Sequence, residues 1–318
     1  MPPGGRGDTP LMQVTVVGDC TLDVTVRPAG ALRAGGDTPA RITLSPGGQG
    51  ANVAVRLARA GVAVRLATAI GHDLAGRLLA AAMDADGVAL EPPPTERSGT
   101  VVAMLDVAGE RTMLSDRVTL EPRAVAAACD GADWVHCSGY PLADDATGDA
   151  LARLIGSLPD TTRVSVGGGS LPPDPARASR VRDRLVATRA RLLILGRDEA
   201  ASLLDLPVPS LAAAADALAG AFAGAIAVVT GGAAGSAAAG PGFALSVPAR
   251  DPATPMVDAT GAGDAYAAAL IGALLAADWP PDVPTLRAAM ETGSRLGGLV
   301  SRVIGAQGHV AGEPGTGP

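Results

Sequence analysis

Residues 257–271 read Val257-Asp258-Ala259-Thr260-Gly261-Ala262-Gly263-Asp264, then Ala265-Tyr266-Ala267-Ala268-Ala269-Leu270-Ile271. The second part is made of helix formers, and the first is a glycine-rich turn leading into it. Two glycines flanking a small residue at a helix start let main-chain N–H groups converge unobstructed, and the helix dipole adds partial positive charge there. Gly261, Ala262 and Gly263 therefore read as an anion cradle built from backbone. Asp264, on the first turn, stands where a carboxylate can take the proton of an attacking hydroxyl while the cradle holds the charge on a transferred group. The competing role for Asp264 is simple stabilisation of the helix start through the dipole.

Outward from this segment, short β-branched runs alternate with longer runs rich in alanine and leucine, the pattern of a mostly parallel sheet covered by helices. The expected core strands are Gln13–Val17, Ala63–Ala69, Trp134–Cys137, Arg163–Val166, Leu192–Leu195 and Ile226–Val229. The expected helices are Ala51–Ala60, Leu74–Ala85, Asp144–Ile155, Ala176–Thr188, Ala212–Ala219, Ala262–Ala276 and Leu286–Val303. The fold class is α/β. Two stretches, 24–44 and 99–114, hold extended segments with no helix between them, which predicts a small β layer over the carboxyl edge of the main sheet as a lid. A single domain of 318 residues is expected, with flexible tails at 1–11 and 309–318; Arg6-Gly7-Asp8 in the first is read as a chance tripeptide.

A second glycine-rich segment, Gly47-Gly48-Gln49-Gly50-Ala51-Asn52, precedes the helix that ends at Gly61. Its glycines allow a small ligand to approach the backbone, and Asn52 offers a donor and an acceptor to a compound bearing hydroxyls. Taken with Ala54, Gly61 and Gly71, this segment resembles the amino-terminal signature of the ribokinase-like (PfkB) carbohydrate kinases. Asp258 to Asp264 resembles the carboxy-terminal one, and the likeness runs from about residue 12 to 308.

The resemblance implies a ribokinase-like fold and transfer of a phosphoryl group from ATP to a primary hydroxyl of a small sugar or sugar acid, as in ribokinases and fructokinases. It implies Asp264 as base, with Gly261, Ala262 and Gly263 as anion hole. Asp23, at the end of Gly18-Asp19-Cys20-Thr21-Leu22-Asp23, falls where the family holds sugar hydroxyls, with Gly47, Gly48 and Asn52 completing that site. Thr21 replaces the asparagine usual in ribokinases, so ribose itself is not implied. Thr230, Gly232 and Gly235, in Val228 to Gly235, match the strand and turn that hold ATP. Glu199 matches the glutamate of an Asn-x-x-Glu motif that serves Mg²⁺ through water, but Gly196 stands in place of the asparagine, with Asp198 and Arg197 as compensating groups. Asp258 and Thr260, with the backbone around 301–305, resemble a monovalent-cation site, which implies K⁺. A nucleoside kinase and a catalytically weak sugar- or nucleotide-sensing protein are the alternatives on the same fold.

Composition narrows these choices. All 25 basic residues are arginine, which removes Schiff-base chemistry and the lysine of a Walker P-loop. The net charge of −7 gives no general attraction to nucleic acid or an anionic membrane, and neither partner is expected. Three scattered cysteines and the lack of a signal-peptide pattern predict a cytoplasmic protein. None of the aromatic residues, Trp134, Tyr140, Phe222, Phe243, Tyr266 and Trp279, precedes position 134, so lid and acceptor loop supply no platform for a base. That favours a sugar over a nucleoside, with Tyr140 the aromatic able to reach the acceptor. Arg111 is a candidate partner for an acceptor carboxylate or phosphate. Because lid strands in this family often pair between subunits, a homodimer is expected.

Overall fold

The computed structural model describes residues 12–91, 94–106, 111–169, 174–250, 256–310 and 313. In chain order its first half contains β1 (Gln13–Val17), β2 (Thr21–Pro28), β3 (Ala40–Gly47), α1 (Gln49–Arg59), β4 (Ala63–Ala67), β5 (Ile70–Gly71), α2 (Leu74–Ala85), β6 (Ala89–Glu91), β7 (Pro94–Thr95), β8 (Gly99–Leu105), β9 (Arg111–Asp116) and α3 (Pro122–Cys129). It continues through β10 (Trp134–Cys137), α4 (Gly139–Ala143), α5 (Gly148–Gly156), β11 (Arg163–Gly167), α6 (Pro175–Ala187), β12 (Leu192–Gly196), α7 (Arg197–Leu204) and α8 (Leu211–Ala221). Last come β13 (Ile226–Thr230), β14 (Ser236–Gly240), β15 (Phe243–Val247), α9 (Ala262–Leu274) and α10 (Val283–Val300).

Among the described residues, nine strands form the main sheet in the order β15-β14-β13-β12-β11-β10-β1-β4-β6. Pairing is parallel from β13 to β6, and β14 and β15 close one edge as an antiparallel hairpin. Side chains alternate across such a sheet, so each apolar strand serves two cores. Leu192 and Ile194 face α1, α9 and α10, while Leu193 and Leu195 face the layer of α3 and α5 to α8. Helix starts follow local chemistry: Asp73, Asp174, Ser210 and Asp282 each accept a main-chain N–H in the first turn of the helix that follows. The helix expected from Asp144 begins instead at Gly148, because the Asp144 carboxylate takes the N–H groups of Ala146 and Thr147 in a turn of its own.

The two segments expected as a separate β layer form a second sheet, β3-β2-β8-β9, in which only β2 and β8 run parallel. A further two-stranded pair, β5 with β7, lies beside it in sequence. Residues 1–11, expected as a tail, lie outside the described residues, as do 311–312 and 314–318. The expectation of a tail from 309 onward needs correcting: Val310 is 4% exposed and Glu313 is 2% exposed. Glu313 is held there by an ion pair to buried Arg56, which a Gly/Pro-rich segment does not advertise in sequence. Among the described residues, no helix is long and apolar enough to cross a membrane.

Candidate active site

The carboxyl ends of β1, β10, β11, β12 and β13 line one edge of the main sheet, the edge where open α/β sheets bind ligands. The chain leaves β1 through Gly18, passes along β2 and β3, and re-enters the body at Gly47 and Gly48 to start α1. The backbones pack tightly there. A Cβ on Gly18 would stand 2.6 Å from the Gly50 Cα, and Gly48 holds φ at +95° against the Asp19 carbonyl. Asp19 caps the start of α1 by accepting the N–H groups of Gln49 at 3.0 Å and Gly50 at 3.3 Å. The Asp23 carboxylate lies against the Gly47 Cα, leaving no room for a side chain, and accepts the Thr21 hydroxyl at 2.8 Å.

Asn52, on the first turns of α1, donates its amide to Asp264 Oδ2 at 2.7 Å, joining positions 212 residues apart. The Asn52 Oδ1 accepts the Gln307 amide at 3.0 Å. Asp264 keeps some accessible surface, yet the protein packed around it pushes its pKa up to about 6. Desolvation is the main cause, Glu199 adds to it, and the Asn52 and Gln49 amides and the Arg56 charge act in the opposite direction. Gly261, at φ +77°, is the N-cap of α9 and packs on Ala306, whereas none of the described residues comes within 4 Å of where a Cβ of Gly263 would lie. The cradle is thus supported from behind at Gly261 and open in front at Gly263.

Glu199 turns back over the start of α7, accepting the Gly196 N–H at 2.7 Å, and burial raises its pKa. Its carboxylate fills the space a Cβ on Gly168 would occupy, so it lies in the cleft. Of the two neighbours expected to compensate, Arg197 donates to the Val208 carbonyl and Asp198 is exposed. Among the described residues, no three His, Cys, Asp or Glu side chains gather into a metal site. One carboxylate fits a Mg²⁺ ion carried largely by water and phosphate oxygens, as that ion prefers. Asp258 accepts the Thr260 N–H and hydroxyl at 2.9 and 2.6 Å and the Gly305 N–H at 3.0 Å, so the residues expected at a monovalent cation do come together.

The candidate nucleotide residues form their own turn. Thr230 pairs in register with Gly196 at the ends of β13 and β12, which sets this turn beside Glu199. Gly232 has φ +56°, Gly235 has φ +86°, and the Gly231 N–H donates to the Gly235 carbonyl at 2.8 Å. A cleft of about 620 Å³ at the opposite edge, walled by Gly156, Asp160, Arg189, Arg191, Phe222 and Trp279, contains none of the motif residues.

The profile of the pfkB family of carbohydrate kinases matches residues 12–311. The chain belongs to that family. A fructokinase from Vibrio alginolyticus is 27% identical to this pfkB chain over 172 residues, 52% of this chain and 51% of that protein, so the match spans about half of the relative's length. A Thermotoga maritima ribokinase structure superposes with a TM-score of 0.74 at 18% identity, covering 93% of this chain and 95% of that one. A Vibrio cholerae O395 fructokinase structure with fructose, ADP and calcium bound superposes at 0.75 and 23% identity, with the same coverage. At such identities these structures establish the ribokinase-like α/β fold of the pfkB chain.

Sequence reading missed Arg117, which pairs with the Asp19 carboxylate and stacks 3.7 Å over the Tyr140 ring. A lone arginine after a strand carries no spacing signal that could have marked it. The structural roles of Asp19, Gln49 and Gln307 were missed too, although all three lie in or beside the quoted motifs. The side chain of Arg111 lies outside the described residues.

Proposed function

We propose that the chain is an ATP-dependent kinase that phosphorylates a primary hydroxyl of a small sugar or sugar acid. The observation that carries this reading is Asp264, a carboxyl with pKa raised to about 6, fixed by Asn52 at the mouth of a helix N-terminus open in front of Gly263. A base poised near neutrality is ionised at pH 7 and still basic enough to accept an alcohol proton. In the proposed reaction the acceptor oxygen attacks the γ-phosphorus of ATP, its proton passes to Asp264, the β,γ-bridging P–O bond breaks, and ADP leaves. The N–H groups of Gly261 to Gly263 stabilise the charge spread over the migrating group.

Asp23, Gly47, Gly48 and Asn52 bind the sugar in this reading; hydrogen bonds from hydroxyls to an ionised carboxylate are worth about 1.5–3 kcal/mol each. Thr230, Gly232 and Gly235 hold the nucleotide. Glu199 holds Mg²⁺ through water, and that ion supplies charge neutralisation at the phosphates. Asp258, Thr260 and the 301–305 backbone hold K⁺. The placement of the aromatic rings supports a sugar over a nucleoside: one face of Tyr140 is covered by Arg117, and Trp134, Phe222 and Tyr266 are buried. The test is ADP release over a panel of sugars, sugar acids and nucleosides. Asp264→Asn is expected to lower kcat by roughly 10²–10⁴-fold with sugar binding retained; equal turnover by parent and variant would reject the assignment.

The proposal extends to a homodimer through the lid. The register aligns Leu44, Val24, Val102 and Leu114 in one row and Ile42, Val26 and Met104 in the next on one face of the second sheet. Ile42, Leu44 and Leu114 are each more than half exposed, an apolar surface that a lone chain gains nothing by displaying. Light scattering should give a dimer for the parent and a monomer for Leu44→Asp with Leu114→Asp; a monomeric parent removes this part of the reading.

A further inference from the structure

Helix α1 presents Asn52, Arg56 and Arg59 at positions i, i+4 and i+7, one continuous face. The Arg56 side chain is wholly buried, and its Nη1 donates to both carboxylate oxygens of Glu313 at 2.7 Å. Its Nη2 donates to the carbonyls of Ala306 at 2.7 Å and Gly308 at 2.9 Å. Arg59 takes the carbonyl between them, that of Gln307, at 2.9 Å, while its Nε and Nη2 hold Asp86. Two arginines thus grip three successive carbonyls of one short segment.

That segment reaches three parts of the site. The Gln307 amide donates to Asn52 Oδ1, Ala306 supports Gly261 at the N-cap of α9, and the Gly305 N–H donates to Asp258. The Asp264 carboxylate can only accept, so it draws Nδ2 of Asn52 toward itself and leaves Oδ1 for the Gln307 amide, whose contact holds the Asn52 side chain in that place. Among the described residues the buried Gln307 Oε1 has no hydrogen-bond partner, so beyond its bond to Asn52 this side chain is placed by its own backbone, which Arg56 and Arg59 hold. Replacing a buried ion pair by apolar groups is often neutral or stabilising. Stability alone is therefore a weak reason for a wholly buried arginine here, and the two carbonyls it holds, those of Ala306 and Gly308, lie on the segment that touches the site.

We propose that Arg56, anchored by Glu313, is a positioning residue for phosphoryl transfer: it fixes residues 305–308 so that Gln307 holds Asn52 against Asp264 and Ala306 supports the cradle. This rests on the kinase reading above.

The experiment compares the full chain with Arg56→Met, Glu313→Gln and Gln307→Leu. The control is Arg184→Met, which removes another buried arginine, one that donates to the Leu142 and Asp144 carbonyls and pairs with Asp149. Kinetics are measured well below each variant's Tm with the best sugar of the panel. Arg56→Met should raise the sugar KM and lower kcat, each by about tenfold, because small misplacements of reacting groups cost that much or more, while the KM for ATP stays within about twofold. Arg184→Met should lower Tm and leave all three constants at parental values. The proposal is overturned if Arg56→Met loses Tm with unchanged constants, or if the KM for ATP moves as far as that for the sugar.

Should Arg56→Met fail to fold, Glu313→Gln and Gln307→Leu carry the same expectation, and parental constants in both overturn it. A parent that phosphorylates nothing in the panel defeats the kinase reading instead. Hydrogen exchange then decides the positioning role: faster exchange at 49–53 and 261–266 in Glu313→Gln supports it, and unchanged exchange overturns it.

Discussion

The proposed acceptor half of the cleft is held together by side chains that meet across 212, 255 and 257 positions of sequence, at Asn52–Asp264, Asn52–Gln307 and Arg56–Glu313. The proposed nucleotide half is held by main chain, in a turn whose shape comes from Gly232 and Gly235 and whose place comes from the β12–β13 register. Side-chain networks fix where one proton-accepting oxygen stands, to within the tolerance of a hydrogen bond. A glycine turn fixes a contour that accepts a ligand along its backbone. The two halves should therefore fail differently when damaged.

Asn52→Leu is the largest blow that leaves Asp264 itself in place. It removes the strongest of the contacts that keep the Asp264 carboxylate ionised and leaves Gln307 without its acceptor. The expected loss is about 10²-fold in kcat/KM for the sugar, with the KM for ATP unchanged. The pH profile carries a sign as well. A hydrogen bond to the charged form lowers a carboxyl pKa, so removing it raises that of Asp264 above its parental value of about 6. The acidic limb of the kcat/KM profile, where the base becomes protonated, should then move to higher pH. A limb that stays put or moves down would show that another group controls it.

The same contrast explains what could be read from sequence. Helix α2 matches its expected bounds, Leu74–Ala85, and the six core strands lie where β-branched runs put them, because periodicity and burial act locally. Strand β14, Ser-Ala-Ala-Ala-Gly, has almost no strand propensity; antiparallel pairing with β13 and β15 and packing against α8 make it one. Helix α10 starts three residues before its expected position, at a boundary marked by Asp282 and a proline in the first turn. In the site, Gly261 and Asp264 were legible as a cradle with an acid beside it, since both lie in one segment. The identity of the acid's partner was not, because nothing local in Asn52 points to residue 264. Arg56 and Glu313 were invisible for the same reason: an arginine on a helix and a glutamate in a Gly/Pro-rich segment are both ordinary surface features until the fold buries them together.

A smaller effect, confined to the other half, is expected from Gly235→Ala. Gly235 has φ 86° and ψ −145°, a region open to glycine and strained for any L side chain by about 1–3 kcal/mol. A Cβ there would also run into the Val247 carbonyl and approach the Ala249 nitrogen at 2.8 Å. Relief of either moves residue 235 against the turn's own hydrogen bonds, Gly231 N–H to the Gly235 carbonyl and Gly235 N–H to the Gly232 carbonyl, and so changes the backbone contour offered to the nucleotide in the proposed reading. The KM for ATP should rise about tenfold, the equivalent of the lower half of that strain, while the KM for the sugar and the acidic limb near pH 6 stay at parental values. That outcome is the mirror image of Asn52→Leu, and it depends on the halves being mechanically separate. If Gly235→Ala shifts the sugar KM as much as that for ATP, the turn and the Asn52–Asp264 pair move together, and β12, ending at Gly196, with Glu199 of α7 bonded to that end, is the element that would couple them.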